Sequence, residues 1–216
     1  MYNLLIACDA EYYSKWAVPC INSIRKLVPW LSVTVVIVNS TNLVEIEGVR
    51  YVYDHQKFVN EDSKVAYYQA LRFIKCADLF PNNELVMSID CDTILTKQFS
   101  QESFKKLCSN VNVLRHHKAD RWMAGLVTYG NTNHFRKKIK DHLLSIPIEQ
   151  WNYGWDQTVL NQLSDEFNYT PIEVGDWMSF GKGRGKFLTL KGSQKVKEKF
   201  LNNYNTVIKE IFDVKA

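Results

Sequence analysis

The sequence predicts an α/β fold, in which a mostly parallel β-sheet is flanked by helices on both faces. Short apolar runs alternate along the chain with longer segments of helical period. Several of these runs are apolar throughout, as expected for central strands that are buried on both faces. The chain has 216 residues and is 46% hydrophobic, which suffices for one sizeable core and predicts a single domain over residues 1–216.

The predicted strands are mostly rich in β-branched or aromatic residues. They are Asn3–Cys8, Ser32–Val38, Val49–Tyr53, Glu84–Ile89, Val111–Leu114 and Leu126–Tyr129. The predicted helices follow the 3.6-residue period, and several begin with a Ser, Thr or Asp residue that can cap the first turn. They are Lys15–Leu27, Ser63–Ala77, Gln101–Leu107, Thr132–Ser145, Asp156–Leu163 and Ser193–Glu210.

Charge and cysteine content narrow the class of protein. The net charge is +4, and seven basic residues fall between residues 182 and 199, a concentration that favours an anionic ligand. The five cysteines are widely spaced without a Cys-x-x-Cys pair, which fits neither a disulfide framework nor a zinc site and predicts a cytoplasmic location. No apolar run approaches the roughly 20 residues of a membrane helix, so we expect a soluble protein without a transmembrane segment. The sequence is compatible with a homo-oligomer.

The segment from Leu85 to Leu95 carries the most chemical information. Asp90 and Asp92 interrupt an otherwise apolar run, and buried carboxylates need a partner. In an extended chain these two side chains lie on the same face, so at the carboxyl end of a strand both can reach one cation. Carboxylate oxygens suit Mn²⁺ or Mg²⁺ better than zinc, and such a cation can bind a diphosphate. The alternative is that Asp-x-Asp marks an exposed turn.

Four segments between residues 4 and 161 follow one another in the order of a known family. They are Ile6–Tyr12, the segment Ala66–Asp92 that ends in Asp-Cys-Asp, Trp122–Val127 and Trp155–Asn161. They resemble the nucleotide loop, the helix and DxD motif, the Asn-Ala-Gly strand and the Asp-Gln-x-x-Leu-Asn helix of glycosyltransferase family 8, which includes glycogenin and lipopolysaccharide galactosyltransferases. The resemblance implies a Rossmann-like GT-A fold. It also implies transfer of a hexose, glucose or galactose, from a UDP-sugar with retention of configuration, assisted by Mn²⁺ or Mg²⁺.

The resemblance divides the chain into a nucleotide-binding part, about residues 1–92, and an acceptor and closing part, about residues 93–216. In the first part, Asp9 would accept a hydrogen bond from the N3–H group of uracil, while the Ala7 backbone and the Tyr12 ring frame the base. The alternative for Asp9 is an ordinary helix cap.

The diphosphate and the metal ion would lie near the Asp-Cys-Asp motif. The resemblance places Asp90, Cys91 and Asp92 in the donor site, with Asp90 and Asp92 as the metal ligands. Arg72 could point from its helix towards the donor sugar or its phosphates. A surface salt bridge is the alternative for this arginine.

The donor sugar would lie between two further segments. Ala124-Gly125 would let the sugar approach the backbone, although a glycine in a strand also marks a β-bulge. Asp156 and Gln157 would be catalytic, because the corresponding polar pair of family 8 lies beside the anomeric carbon. The neighbouring Tyr153 and Trp155 could pack against the sugar ring. The alternative for Asp156 is an N-cap under an aromatic lid.

The chain departs from family 8 near its C-terminus. A His-x-x-Gly-x-x-Lys pattern in the family supplies a third metal ligand and a phosphate-binding lysine, whereas here Thr189 occupies the histidine position and Lys195 the lysine position. Lys195 would stabilise the departing diphosphate. The metal site would be weak until the nucleotide adds its own oxygen ligands. The basic segment Gly181–Lys186 would close over the donor, or remain a solvated surface loop.

Two other functions are compatible with parts of this pattern. Nucleotidyl transfer also uses an α/β sheet with paired carboxylates, but its usual glycine-rich loop after the first strand is missing, since residues 7–14 contain no glycine. A non-enzymatic nucleic-acid-binding module would need a base-stacking or groove-tracking face, and clustered cations alone do not provide one, so nucleic acid is not an expected partner. The acceptor, a saccharide, lipid or protein, is not identified by the sequence.

Overall fold

The structure, a computed structural model, describes residues 1–40, 42–80, 84–116, 121–131, 133–180, 185–190 and 194–213, with side chains at 201 and 204–212 in the last range. The strands are β1 (Tyr2–Asp9), β2 (Ser32–Val38), β3 (Arg50–Asp54), β4 (Leu85–Ile89), β5 (Thr93–Leu95), β6 (Asn112–His116), β7 (Arg121–Thr128), β8 (Thr170–Glu173), β9 (Met178–Phe180) and β10 (Phe187–Thr189). The helices are α1 (Ala10–Tyr12), α2 (Val18–Leu27), α3 (Glu61–Leu79), α4 (Gln101–Cys108), α5 (Asn133–Leu143), α6 (Trp155–Gln162), α7 (Ser164–Phe167) and α8 (Gln194–Asp213). A π-helical turn, Tyr13–Ala17, joins α1 to α2, and a 3₁₀ turn, Ile148–Gln150, precedes α6.

The larger sheet has seven strands in the order β3-β2-β1-β4-β7-β6-β8. The strands β3, β2, β1 and β4 pair in parallel, and β8 pairs in parallel with β6. The strand β7 runs antiparallel to both of its neighbours, β4 and β6. The sheet is therefore mixed and mostly parallel, as the sequence predicted.

Helices cover both faces of this sheet because its central strand is apolar on both sides. Leu4 and Ile6 of β1 pack into a core with α2 and α4, while Leu5 and Ala7 of the same strand pack into a second core with α3, α5 and α6. All of these strand residues are buried. The α/β class with helices on both faces is thus confirmed.

A smaller sheet, in the order β5-β10-β9, follows the Asp-Cys-Asp motif. Ile94 of β5 and Leu188 of β10 pack with Trp16 and with Tyr204 of α8 in a third apolar cluster. This sheet links the segment after β4 to the C-terminal part of the chain. Within the described ranges, no helix is both long enough and apolar enough to cross a membrane.

Several predicted boundaries and elements differ from the structure. The first helical segment begins at Ala10 rather than at Lys15, because Asp9 caps it. The strand β7 begins at Arg121, well before the predicted Leu126. The strands β5, β8, β9 and β10 were not predicted, since each has only three or four residues, too few to show a period.

Candidate active site

A cavity of about 490 Å³ lies beside the carboxyl ends of β1 and β4, where ligands bind in open α/β sheets. Its walls come from the end of β1, the helix α3, the turn after β4, the strand β7 and the start of α6. The predicted site residues that line it are Ala7, Asp9, Tyr12, Arg72, Asp90, Cys91, Asp92, Ala124, Asp156 and Gln157. The fold therefore brings together, in one cavity, residues that are distant in the sequence.

Asp9 lies at the cavity wall and also begins the first helix. One of its carboxylate oxygens accepts a hydrogen bond from the backbone N–H of Tyr12 at 2.8 Å. The capping role that the sequence left open is therefore present, and Asp9 still lines the cavity together with Ala7 and Tyr12. The Tyr12 side chain is 39% exposed, which leaves its ring accessible at the cavity mouth.

Arg72 is a buried cation in the lining of the cavity. Its Nη2 atom lies 2.8 Å from Oδ1 of Asp90 and 3.6 Å from Oδ2 of Asp156, and it donates a hydrogen bond to the carbonyl of Ala124 at 3.0 Å. The Arg72 side chain is only 5% exposed, so the surface salt bridge considered from the sequence is in fact a buried one. Burial by itself lowers the pKa of this guanidinium. The negative charges of Asp90 and Asp156 raise the pKa by more than burial lowers it, so the pKa lies above its ordinary value. Arg72 thus stays charged and connects two elements of the site.

The Asp-Cys-Asp motif lies in a turn rather than in extended strand. The strand β4 ends at Ile89, and Cys91 and Asp92 belong to a turn that leads into β5. Both carboxylates nevertheless line the same cavity, and whether they share one cation stays a prediction. Asp90 is fixed by a hydrogen bond from its N–H to the carbonyl of Gly125 at 3.2 Å.

Thr189, at the position of the expected histidine, is in contact with Asp92. Its hydroxyl lies 3.3 Å from Oδ1 of Asp92, and the N–H of Leu190 donates to the Asp92 carbonyl at 3.3 Å. Thr189 is fully buried at the end of β10. The smaller sheet therefore holds Asp92 in place through this hydroxyl, whereas a histidine would offer a nitrogen ligand.

Asp156 and Gln157 lie in the first turn of α6. The N-cap of this helix is Gly154 with a φ of 80°, so the N-cap role considered for Asp156 does not occur. Asp156 is buried and accepts a hydrogen bond from the N–H of Gln157 at 2.8 Å. Tyr153 is 75% exposed at the cavity rim, but Trp155 points away, into the second core, and donates to the carbonyl of Leu143.

Of the two features considered for Ala124-Gly125, the β-bulge is observed in β7. The register between β6 and β7 shifts so that Val113 pairs with Val127 and Leu114 pairs with Met123, which leaves residues 124–126 as a bulge. Ala124 lines the cavity, whereas Gly125 is buried behind it. The bulge thus bends the strand next to the site.

The remaining predicted basic residues lie mostly outside the described part of the chain. Positions 181–184 are not described, and neither is the side chain of Lys195, whose backbone lies in α8. Lys186 is described, and its ammonium group lies 3.3 Å from Asp176 and 4.3 Å from the Trp177 ring centroid, not at the cavity. The roles proposed for Lys195 and for the basic loop remain predictions.

One wall of the cavity was missed by the sequence analysis. It is formed by one face of α3, whose lining residues recur with the period of a helix: Glu61, Lys64, Val65, Tyr68, Gln69 and Arg72. Burial raises the pKa of Tyr68, and a hydrogen bond to Glu61 raises that of Lys64. A helical projection from Arg72 would have found this face.

The described lining is strongly acidic for a site that would take a diphosphate. Its carboxylates are Asp9, Glu11, Glu61, Asp90, Asp92 and Asp156, and its cations are Lys64 and Arg72. A divalent cation on carboxylate oxygens would offset this negative charge, and the oxygen donors suit Mn²⁺ or Mg²⁺. The described residues contain no cluster of three or more His, Cys, Asp or Glu side chains able to hold an ion. The described residues would therefore contribute only part of a coordination shell.

The fold is similar to that of a known glycosyltransferase. The chain matches the crystal structure of the apo-form glycosyltransferase GlyE from Streptococcus pneumoniae TIGR4 with a TM-score of 0.64 and 14% sequence identity. The match covers 98% of this chain and 63% of that one, so the chain spans less than two thirds of the length of GlyE. No protein-family model and no curated relative matches. The chain thus has a glycosyltransferase-like α/β fold.

Proposed function

We propose that this protein is a metal-dependent glycosyltransferase that resembles family 8 and transfers glucose or galactose from a UDP-sugar with retention of configuration. The observation that carries the proposal is the single cavity in which the paired aspartates of the Asp-Cys-Asp motif meet Asp9, Arg72 and Asp156. The similarity of the fold to a glycosyltransferase supports the same reaction class.

In this proposal the cavity binds the donor along its length. Asp9 at the end of β1 takes the uracil edge, with the exposed Tyr12 ring over the base. The buried Arg72 and the bulged backbone at Ala124, which are joined by a hydrogen bond, would face the sugar and the phosphates. Asp156, 3.6 Å from Arg72, would bind a sugar hydroxyl.

The reaction joins an acceptor hydroxyl to the anomeric carbon. The acceptor oxygen forms a bond to C1 of the sugar while the bond from C1 to the β-phosphate oxygen breaks, and its electron pair leaves with UDP. The proton of the acceptor hydroxyl passes to the departing diphosphate. Asp156 and Gln157 would hold the sugar so that attack occurs on the face from which UDP leaves.

Asp90 and Asp92 would hold the divalent cation, and Thr189 would keep Asp92 oriented through its hydroxyl. When bound, the cation supplies positive charge that neutralises the leaving diphosphate. Arg72 remains near Asp90 and restrains its carboxylate.

A panel of nucleotide sugars incubated with Mn²⁺, with release of free nucleotide as the readout, tests the proposal. We expect UDP-glucose or UDP-galactose to be hydrolysed slowly even without an acceptor, and EDTA to stop the release. Equal turnover of guanosine and uridine donors would refute the assignment of Asp9 to uracil. Release of pyrophosphate from a nucleoside triphosphate and a sugar phosphate would instead indicate nucleotidyl transfer.

A further inference from the structure

A second cavity, of about 510 Å³ and largely open to solvent, adjoins the first. Gly154 and Gln157 line both cavities and form the boundary between them. The other described residues of the second cavity are Arg121, Thr158, Asn161 and Gln162. Its α6 residues recur every three to four positions, so the cavity lies along one face of that helix.

The chemistry of this second cavity differs from that of the first. Its described lining holds amide, hydroxyl and guanidinium groups, with no carboxylate and no aliphatic side chain. Such walls offer several hydrogen-bonding groups next to the carbon atoms of the same side chains. They suit a ligand that carries both hydroxyl groups and apolar ring faces, whereas a lipid chain would leave the polar groups of the wall without partners.

Two hydrogen bonds made by the Asn161 side chain attach the polar face of α6 to β7. The side-chain amide of Asn161 accepts from the N–H of Trp122 at 3.1 Å and donates to its carbonyl at 3.2 Å. By contrast, within the described ranges no hydrogen bond or ion pair engages the side chains of Arg121, Gln157 or Gln162. The Asn161 amide thus anchors the helix, whereas the Arg121 guanidinium and the amides of Gln157 and Gln162 are available to a ligand.

An exposed aromatic ring stands at the boundary of the two cavities. Tyr153 directly precedes Gly154 and is 75% exposed, an unusual exposure for a large ring. The apolar face of a pyranose packs well on an aromatic ring while its hydroxyls remain free for amide partners. Tyr153 is therefore placed to support a sugar ring at the point where donor and acceptor would meet.

We propose that the second cavity binds the acceptor and that this acceptor is a saccharide. The inference rests on the proposed function, since it assigns the acceptor to the same reaction. The saccharide lies along the polar face of α6 with one ring on Tyr153, and its reactive hydroxyl passes Gln157 into the first cavity. That hydroxyl gives its proton to the departing diphosphate as its oxygen bonds to C1, as described above.

The test uses Gln162→Ala and Arg121→Ala, because these residues line the second cavity and not the first. The matched control is Gln101→Ala, an exposed glutamine on α4 that lines neither cavity. The probes are lactose, maltose and cellobiose, with a long-chain alcohol and a Ser/Tyr-containing peptide as competing acceptor classes. For each variant, transfer to the acceptor and acceptor-free release of UDP are measured separately.

We expect both variants to raise the KM for a disaccharide about five- to tenfold, the effect of losing a single hydrogen bond, with acceptor-free UDP release and the control unchanged. Transfer to the alcohol or peptide but not to any disaccharide overturns the proposal. So does a disaccharide KM that neither variant changes.

If no nucleotide sugar is turned over, the proposed function fails, and disaccharide binding measured by NMR titration still decides the acceptor site. Binding that both variants weaken, and the control does not, supports a saccharide site. Binding that is absent or unaffected by both variants overturns it.

Discussion

Replacing Arg72 by methionine tests how the charges of the cavity are balanced. Arg72 is 5% exposed and lies within 3.6 Å of carboxylate oxygens of both Asp90 and Asp156. Methionine fills much of the same volume but removes the positive charge. The variant then leaves the carboxylates of Asp90 and Asp156 close together without the positive charge that compensates them. The Asp156 carboxylate is also buried.

Breaking a buried ion pair from one side costs about 3–5 kcal/mol, because the remaining charge stays desolvated. A domain is stabilised by only about 5–15 kcal/mol in total, so the loss should be large and measurable. The matched control is Lys75→Met on the same helix. Lys75 pairs with Asp54 at 2.5 Å and is 25% exposed, and the Asp54 carboxylate keeps a hydrogen bond from the Tyr67 hydroxyl after the replacement, so this change should cost clearly less than the loss of Arg72.

Urea unfolding followed by tryptophan fluorescence gives the change in the free energy of unfolding from the shift in midpoint at constant slope. If Arg72→Met is too unstable to purify, the combined variant Arg72→Met, Asp90→Asn and Asp156→Asn keeps the test open. Removing all three charges should recover most of the stability. A loss as small as that of Lys75→Met, or no recovery in the combined variant, would refute the view that Arg72 compensates these carboxylates.

Three further predictions concern the site, and a fourth concerns the core beside it. Asp92→Asn should lower turnover about 100-fold or more while leaving the unfolding midpoint close to that of the parent. The control, Asp165→Asn at an exposed position, should change neither quantity. Normal metal-dependent turnover in Asp92→Asn would show that this carboxylate is not a metal ligand. Asp156→Asn should lower turnover much more than it weakens UDP binding, because its contact is to the sugar, and a parallel loss of UDP affinity would indicate a structural role instead. In calorimetric titrations, UDP and Mn²⁺ should each tighten the binding of the other to the protein by the same factor, after correction for their association in solution. Tight Mn²⁺ binding to the nucleotide-free protein would mean that another side chain completes the metal site. Burial raises the pKa of the Cys76 thiol to about 12, so at pH 8 only about one part in 10⁴ is thiolate, and a chromogenic thiol reagent should reach this cysteine only after urea is added.

The sequence alone was sufficient for the fold class and for the position of the main carboxylates. Runs such as Leu4–Cys8 are apolar at every position, and only a strand covered on both faces needs that pattern. Asp90 and Asp92 stand out because they interrupt a similar run, and a charge next to buried strand requires a reason. These signals are local, so they can be read without knowing which elements become neighbours.

Tertiary structure decided the short elements and the surroundings of each charge. The strand β10 has three residues and forms only because β5 and β9 lie on either side of it, yet it places Thr189 against Asp92. Whether Arg72 forms a surface or a buried ion pair depends on the elements that exclude water around it, and no pattern within α3 records those elements. The polar face of α6 became a cavity wall only when β7 packed beside it, because a cavity is the space between elements and not a property of any one of them.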